Sequence, residues 1–181
     1  MNNVIKAIMV IIGLLIVGSA VSGLTSGNRS GTTVVPAGAS STAAAAAAPA
    51  KVGDTVRSGN WAYTVTKVDK TKSLQWSEFG NKIDALGQWV IISLTLRNIG
   101  NQNFSINTFD FKLTESSGVL YDTSSKLEAY SYIRYKKLTN LGEQFPPGVD
   151  VMTALVFDVN PAATGLRLVL KQANNTTIAL E

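Results

Sequence analysis

The chain has 181 residues, a formal net charge of +4 at pH 7, and neither cysteine nor histidine. The missing cysteine excludes disulfides and lipid attachment through a lipoprotein cysteine, so a folded domain must rely on its own core. The missing histidine excludes His-based acid–base catalysis and nearly all zinc and copper sites. Residues 51–181 carry 14 of the 16 basic residues and all 12 acidic ones. That small net charge does not predict nucleic-acid binding.

Residues 1–24 have the layout of an export segment: a weakly basic start with Lys6, an apolar run and then small residues. This pattern predicts a signal peptide, cleaved after Ala20 or Ser22. The alternative is an uncleaved N-terminal membrane anchor, because residues 7–24 approach the roughly 17–25 residues that span a bilayer. Either way we expect an extracytoplasmic protein, secreted or anchored by an apolar helix to the outer face of the cytoplasmic membrane. Its membrane contact would be residues 7–24.

Residues 25–50 consist mainly of Ala, Ser, Thr, Gly and Pro, with one charge at Arg29 and no aromatic residue. Such a segment buries too little apolar surface to offset its ordering entropy, so we expect a disordered linker. The alanine run at 43–48 is shorter than the roughly 12–15 residues that an isolated helix needs. The linker therefore predicts a tether between the leader and a domain at 51–181.

Residues 51–181 show the punctuation of a β protein, with short alternating segments separated by turn residues. The predicted strands are 55–57, 61–68, 89–97, 104–106, 109–113, 119–121, 149–159, 166–170 and 177–180. Residues 70–86 are polar and aperiodic and are predicted to form a long loop, and residues 122–142 are predicted to be irregular. Asn98 and Gly100 are assigned to a hairpin turn that needs positive φ.

Segments 89–97 and 109–113 carry the clearest alternation. In the first, Val90, Ile92, Leu94 and Leu96 share one face, which predicts one side on a core and one on water. In the second, Phe109 shares a face with Phe111 and Leu113. Taking about seven or eight of these nine segments as strands of one fold, and with no convincing helix, we expect an all-β fold, an antiparallel β-sandwich; a closed barrel is the alternative.

The order and spacing of several segments resemble a known family. They are GDTV at 53–56, WAYTVTKV at 61–68, QWVIISLTLRNIG at 88–100, FDFKL at 109–113, PG at 147–148 and LVFDV at 155–159. Together they resemble the immunoglobulin-like domain of unknown function found in bacterial lipoproteins and secreted proteins, with a fold like that of the mycobacterial immunoprotective extracellular protein.

The resemblance covers residues 51–181 and implies an Ig-like sandwich outside the cytoplasm. It supplies no agreed activity and no catalytic residues. The chain departs from the family pattern by lacking the lipoprotein cysteine. It also lacks the Cys…Trp…Cys core of antibody domains, so either Trp89 or Trp61 is expected to fill that space without a disulfide.

One local cluster is a candidate partner-binding site, because tyrosine and arginine are enriched at interfaces. It comprises Tyr130, Tyr132, Arg134, Tyr135, Lys136 and Lys137. The alternative is a connecting segment that packs Leu127, Tyr130 and Ile133 on the sandwich and leaves its cations in water. The acidic residues show neither an EF-hand spacing nor a nominated catalytic pair, so no metal, cofactor or catalytic residue is predicted.

These observations favour an exported, non-catalytic module that binds a protein or a cell-envelope component. The alternative is a structural or spacer subunit of a surface assembly, held by strand pairing at a sheet edge. An enzyme is the third and least supported hypothesis.

Overall fold

The computed structural model of the protein describes residues 49–181. The leader at 1–24 and the linker up to residue 48 lie outside the described residues. Within residues 49–181 no helix is long and apolar enough to cross a membrane.

Eleven strands, one α-helix and two short 3-10 turns make up this region. The strands are β1 (Ala50–Lys51), β2 (Thr55–Ser58), β3 (Trp61–Gln75), β4 (Lys82–Asn98), β5 (Phe104–Ser105), β6 (Phe111–Thr114), β7 (Leu120–Asp122), β8 (Gln144–Phe145), β9 (Asp150–Val159), β10 (Arg167–Leu170) and β11 (Thr176–Ala179). The helix α1 is Leu127–Tyr135, and the 3-10 turns are Thr108–Asp110 and Lys171–Ala173. The prediction of a mainly β, antiparallel fold is confirmed.

The strands form two main sheets. A four-stranded antiparallel sheet has the order β2-β3-β4-β9, and a five-stranded sheet has the order β1-β11-β10-β6-β7. Neighbours in the second sheet are antiparallel, apart from the short parallel pairing of β1 with β11. The strands β5 and β8 form a separate small ladder.

The two sheets face each other across one apolar core, which makes the domain a β-sandwich. Trp61 lies in this core with its ring edge-on to Phe145, at 6.0 Å between centroids. Tyr63 packs in the same way against Phe111, at 6.3 Å. Trp61, rather than Trp89, therefore fills the space between the sheets without a disulfide.

The predicted loop at 70–86 is wrong. β3 runs to Gln75 and β4 begins at Lys82, so the two strands extend as an antiparallel hairpin arm beyond the main core. Its residues are mostly polar because much of the arm faces solvent, and this removes the apolar alternation that marks a half-buried strand. A register shift between Thr71 and Ser73 further breaks the period of two.

The expectation of an irregular segment at 122–142 is also wrong, because it contains α1. Only Ala129 and Ile133 of its nine residues are buried. A helix this short is marginal alone and is stabilised by packing against the rest of the protein. Two buried positions at a spacing of four leave a weak sequence pattern.

The turn after β4 differs from expectation as well. Positive φ is not found at Asn98 or Gly100. Instead Asn98 is fully buried, and a Cβ on Gly100 would lie 2.5 Å from the ring of Phe104. Close approach of the ring, rather than backbone handedness, therefore favours glycine there, since any side chain would displace Phe104. Phe109 is not in a strand either; it lies in a 3-10 turn and is 72 % exposed.

Candidate functional site

The helix α1 covers half of the outer face of the four-stranded sheet. Under it lies a second apolar cluster, separate from the main core, formed by Leu74, Trp89, Ile91, Ala129, Ala154 and Val156. Trp89 is fully buried there, and its indole Nε1 donates to the carbonyl of Ile83 at 3.1 Å. The cluster therefore fixes α1 and the hairpin arm to the same sheet.

The segments flanking α1 close the free edge of β9. The Ser124 amide donates to the carbonyl of Val156 at 2.7 Å, and the Thr139 amide donates to Met152 at 2.9 Å. These bonds use backbone acceptors that an open edge strand would offer to another chain.

The C-terminal end of α1 is closed by a pair of backbone bonds. The Leu138 amide donates to the carbonyl of Ile133 at 2.9 Å, and the Lys137 amide donates to Arg134 at 3.0 Å. This is the Schellman arrangement, which places Lys137 at φ 55° although it is not glycine. Arg134, Lys136 and Lys137 thus gather where the helix dipole favours positive charge.

The three tyrosines of α1 point to different places. Tyr130 is 38 % exposed and lines a small depression with Thr108 and Ala154. Tyr132 packs at the border of the second cluster. The hydroxyl of Tyr135 is 3.3 Å from Nε2 of Gln75, which donates to it from the hairpin arm. The predicted set therefore does not form one site.

Three of the six predicted residues do come together around a cation. Nζ of Lys136 lies 4.8 Å from the ring centre of Tyr135 and 5.8 Å from that of Tyr132. Cation–π contacts of this kind are favourable, though weak where water reaches the ammonium. They hold the two rings and the exposed ammonium as a unit at the end of α1.

A depression of about 480 Å³ lies between this unit and the outer face of β3. Lys67 and Asp69 stand on its far wall and form an ion pair at 2.8 Å. The hydrogen bond to Asp69 raises the pKa of Lys67 and keeps its ammonium protonated, and the paired carboxylate offsets that charge, so this wall is close to neutral. Burial raises the pKa of Tyr132, with the charge of Asp69 adding to it, so Tyr132 enters the depression as a neutral phenol.

A second depression, of about 330 Å³, lies between α1 and the loop of the hairpin arm. Trp76, Arg134 and Tyr135 line it, with Glu78 at its rim. The loop is ordered by its own bonds: the Trp76 amide donates to Asn81 at 3.0 Å, and the Gly80 amide donates to Ser77 at 3.3 Å. At its tip Phe79 is 94 % exposed.

We name these groups the α1–hairpin surface: Trp76, Phe79, Tyr132, Arg134, Tyr135 and Lys136. The hairpin half of it was missed because its segment reads as a polar loop. Trp76 and Phe79, two aromatic residues three positions apart in an otherwise polar stretch before Gly80-Asn81, were the available signal.

The carboxylate of Asp158, beside Lys126 at the start of α1, has structural partners. Asp158 accepts the amides of Leu86 and Gly87, each at 2.9 Å, and lies 3.6 Å from Nζ of Lys126. A Cβ on Gly87 would collide with the carbonyl of Val159, so the chain passes too close for any other residue. Across residues 49–181, no three acidic side chains converge in a way that could hold a metal ion.

Known structures share this architecture. The yjhA protein from Bacillus subtilis aligns with a TM-score of 0.54 and 21 % identity, over 73 % of this chain and 99 % of that one. A conserved hypothetical protein from Bacillus anthracis aligns with a TM-score of 0.60 and 14 % identity, over 73 % and 95 %. The secreted protein MPT63 from Mycobacterium tuberculosis aligns with a TM-score of 0.52 and 14 % identity, over 75 % and 98 %. At these identities the likeness concerns the fold.

No curated protein matches the chain in sequence. A family described as "Domain of unknown function (DUF4352)" matches residues 50–177. The match covers well over half of the chain and nearly all of the sandwich, and it confirms the resemblance drawn from the sequence. The chain therefore belongs to this domain family of unknown function.

Proposed function

We propose that the domain is a non-catalytic, extracytoplasmic binding module whose α1–hairpin surface contacts a protein or cell-envelope component. The observation that carries the proposal is Phe79, almost fully exposed on an ordered loop beside Trp76, Tyr135 and Arg134. An exposed aromatic side chain on a fixed loop has no role in the core, and it provides contact area at a low entropic cost.

The α1–hairpin surface combines aromatic and basic side chains, which indicates the chemical groups that a partner would present. Aromatic faces and arginine are the side chains that contribute most at interfaces. Arg134 and Lys136 are exposed, and Glu78 is the acidic residue that lines the same depression as Arg134. We therefore expect a partner that presents an apolar or planar group next to a negative charge.

The extracytoplasmic location rests on two observations. Residues 1–24 have the pattern of an export segment, either a signal peptide or an anchor. The similar protein MPT63 is described as secreted. We further propose that the sandwich is of the immunoglobulin-like type, with the hairpin arm and α1 as additions to its four-stranded sheet.

The non-catalytic assignment is supported by the causes of the tyrosine pKa shifts. Burial is the main cause that raises the pKa of Tyr63, Tyr121 and Tyr132, and the hydroxyl of Tyr121 also donates to a carboxylate oxygen of Glu115 at 2.9 Å. Shifts from simple burial are common in structural residues.

A spacer subunit assembled by strand pairing has less support. The edge of β9, the longest edge strand, is closed by the Ser124 and Thr139 amides. The other edges of the two main sheets belong to β1, β2 and β7, which have two, four and three residues. Short edge strands are one of the ways in which proteins avoid pairing with another chain.

The proposal is tested by binding of the full-length chain to envelope fractions of its native cell, measured against concentration. Phe79→Ser and Arg134→Gln should each weaken binding by roughly tenfold, as expected for an interface anchor. Both side chains are exposed, so the free energy of unfolding should change by less than about 0.5 kcal/mol.

Matched controls come from the same chain. Phe109→Ser removes a phenylalanine that is 72 % exposed outside this surface, and Arg167→Gln removes an exposed arginine of the other sheet. Both should bind like the wild type. Equal binding by all four variants would overturn the proposal, and a stable homo-oligomer that survives dilution would favour the spacer alternative.

A further inference from the structure

The other half of the same outer face carries a second group of polar side chains, far along the strands from α1. The pairing registers place Arg57, Ala62, Arg97 and Asp150 side by side on β2, β3, β4 and β9. The next row on this face is Thr55, Thr64, Thr95 and Met152. Two arginines therefore flank an alanine on one continuous sheet surface.

The alanine creates space between the two guanidinium groups. Neighbouring strands are about 4.8 Å apart, so the Cα atoms of Arg57 and Arg97 are roughly 10 Å apart across Ala62. Ala62 is 6 % exposed and forms a floor. Both arginines and the three threonines line one concavity of about 670 Å³, whose end wall is the turn at Asn98, Ile99 and Gly100.

The charges in this concavity do not cancel. Asp150 approaches Arg97 at 3.7 Å, and both side chains are more than half exposed, which makes the pair a weak one. Within residues 49–181 the guanidinium of Arg57 has no carboxylate within salt-bridge distance. With two arginines and one aspartate in its lining, the concavity therefore keeps a net positive charge beside a small floor.

We propose that this concavity, the arginine groove (Thr55, Arg57, Ala62, Thr64, Thr95, Arg97), binds an oxyanion group, a phosphate or a carboxylate. The planar guanidinium presents two parallel N–H donors that match the two oxygens of such a group. The hydroxyls of Thr55 and Thr64 bond to each other at 2.8 Å, so one of these two and the hydroxyl of Thr95 remain as neutral donors beside it. A cationic or purely apolar ligand would leave these donors unpaired.

Hydrogen bonds on the buried side of the turn fix the end wall of the groove before any ligand binds. Asn98 is fully buried, and its Nδ2 donates to the carbonyls of Gln102 and Phe145, both at 2.8 Å. Its Oδ1 accepts the Gly100 amide at 2.9 Å, and its own carbonyl accepts the Gly148 amide at 2.8 Å. The end wall is therefore held rigid without a ligand, which lowers the entropic cost of binding.

The groove is independent of the α1–hairpin surface, so the two proposals fail separately. On β4, Thr95 belongs to the groove and Ser93 lines the depression beside α1. The β3 register shift at Thr66, whose hydroxyl donates to the carbonyl of Ser93, lies at the same level. An extended ligand with repeated negative charges could reach both, but the groove needs only one oxyanion.

The test titrates the full-length, ¹⁵N-labelled chain with inorganic phosphate and, separately, with a tetraglutamate peptide. The arginine Nε–H resonances of Arg57 and Arg97 and the amide of Ala62 should shift with at least one probe. Binding of phosphate alone points to a phosphate-bearing polymer or headgroup, and binding of the peptide alone points to an acidic protein segment. A lack of shifts with both probes would overturn the proposal.

Variants distinguish binding at the arginine groove from nonspecific attraction of the probe to the net charge of the protein. Arg57→Gln and Arg97→Gln should each lower the affinity for the probe that binds roughly tenfold, whereas Arg167→Gln on the other sheet should leave it unchanged. Asp150→Asn should strengthen binding, because it frees Arg97. Glu78→Gln makes the same change in net charge at the hairpin tip and should have no effect. If Arg167→Gln weakens binding as much as Arg57→Gln, the groove is not the site.

Discussion

The outer face of the four-stranded sheet has two halves. They lie on the same strands but differ in their outward side chains and in how far these are buried. At one end of β4 the outward residues Trp89 and Ile91 are buried beneath α1; at the other, Thr95 and Arg97 face solvent. The β4–β9 register continues unbroken between the halves, whereas the β3–β4 register shifts once, between Val65 and Lys67. The same strands therefore carry a packing surface at one end and an open surface at the other, and their outward side chains mark the difference.

The largest effect should come from removing the centre of the covered half. Trp89→Ala deletes a fully buried ring and its bond to the carbonyl of Ile83. We expect a loss of about 3–5 kcal/mol in the free energy of unfolding, as for other buried aromatic truncations. Urea denaturation of wild type and variant measures it.

The matched change in the open half is Met152→Ala, at an outward position of β9 that is 65 % exposed. It should change the free energy of unfolding by less than about 0.5 kcal/mol. Similar losses in the two variants would show that the halves do not differ in their contribution to stability.

The next prediction concerns what holds the open half in place. Asn98→Ala leaves the carbonyls of Gln102 and Phe145 and the amide of Gly100 without their partner. Buried groups left unpaired are costly, so we expect a loss of about 2–3 kcal/mol. Replacing the exposed neighbour Asn101 with alanine is the control, and an equal effect of both changes would remove this role from Asn98.

The strands of the covered half could be predicted from the sequence, because their apolar patterns are the clearest in the chain. The strand at 89–97 was found because its inner residues alternate without interruption. The continuous apolar run at 89–92 carried a further signal, since a strand buried on both faces reads as unbroken. The run Ala154-Leu155-Val156-Phe157 of β9 has the same character. Both runs mark the strip that α1 covers, and they indicate a cover without saying which segment supplies it.

The helix itself was hidden because its stability comes from that strip. Ala129 and Ile133 are its buried residues, and its N-cap residue, Lys126, makes no side-chain capping bond. The hairpin arm was hidden because its polar residues follow no apolar period. The cluster at 130–137 was located by composition alone, and composition cannot show that Tyr130 and Tyr135 diverge around a helix.

A third prediction uses pH to examine the inner face below the open half. Tyr63 packs there opposite Leu96, and its hydroxyl has no hydrogen-bond partner among the described residues. Burial, with the charge of Asp110 adding to it, raises the pKa of Tyr63 from 10.0 to about 12. The folded state therefore resists ionisation of this phenol more than the unfolded state does.

Because the folded-state pKa is the higher one, the stability linked to Tyr63 is fully present below pH 10 and is lost as pH rises towards about 12. Tyr63→Phe should be at least as stable as the wild type at pH 7 and should lose less stability between pH 9 and 11. Burial also raises the pKa of Tyr132, so some loss remains in the variant. Parallel losses in the two proteins above pH 10 would contradict the assignment.

The smallest predicted effect is at the C-terminal end of α1. Lys137 occupies the left-handed position after α1, at φ 55°, where glycine is the residue without steric cost. Lys137→Gly should therefore raise the free energy of unfolding by about 0.5–1 kcal/mol. Lys136→Gly is the control, because its φ of −79° gives glycine no advantage and the change should destabilise. If Lys137→Gly stabilises the domain without weakening envelope binding, Lys137 ends the helix and does not belong to the binding surface. A loss of binding at unchanged or higher stability would instead place it in that surface, and the boundary between the two halves would then carry function of its own.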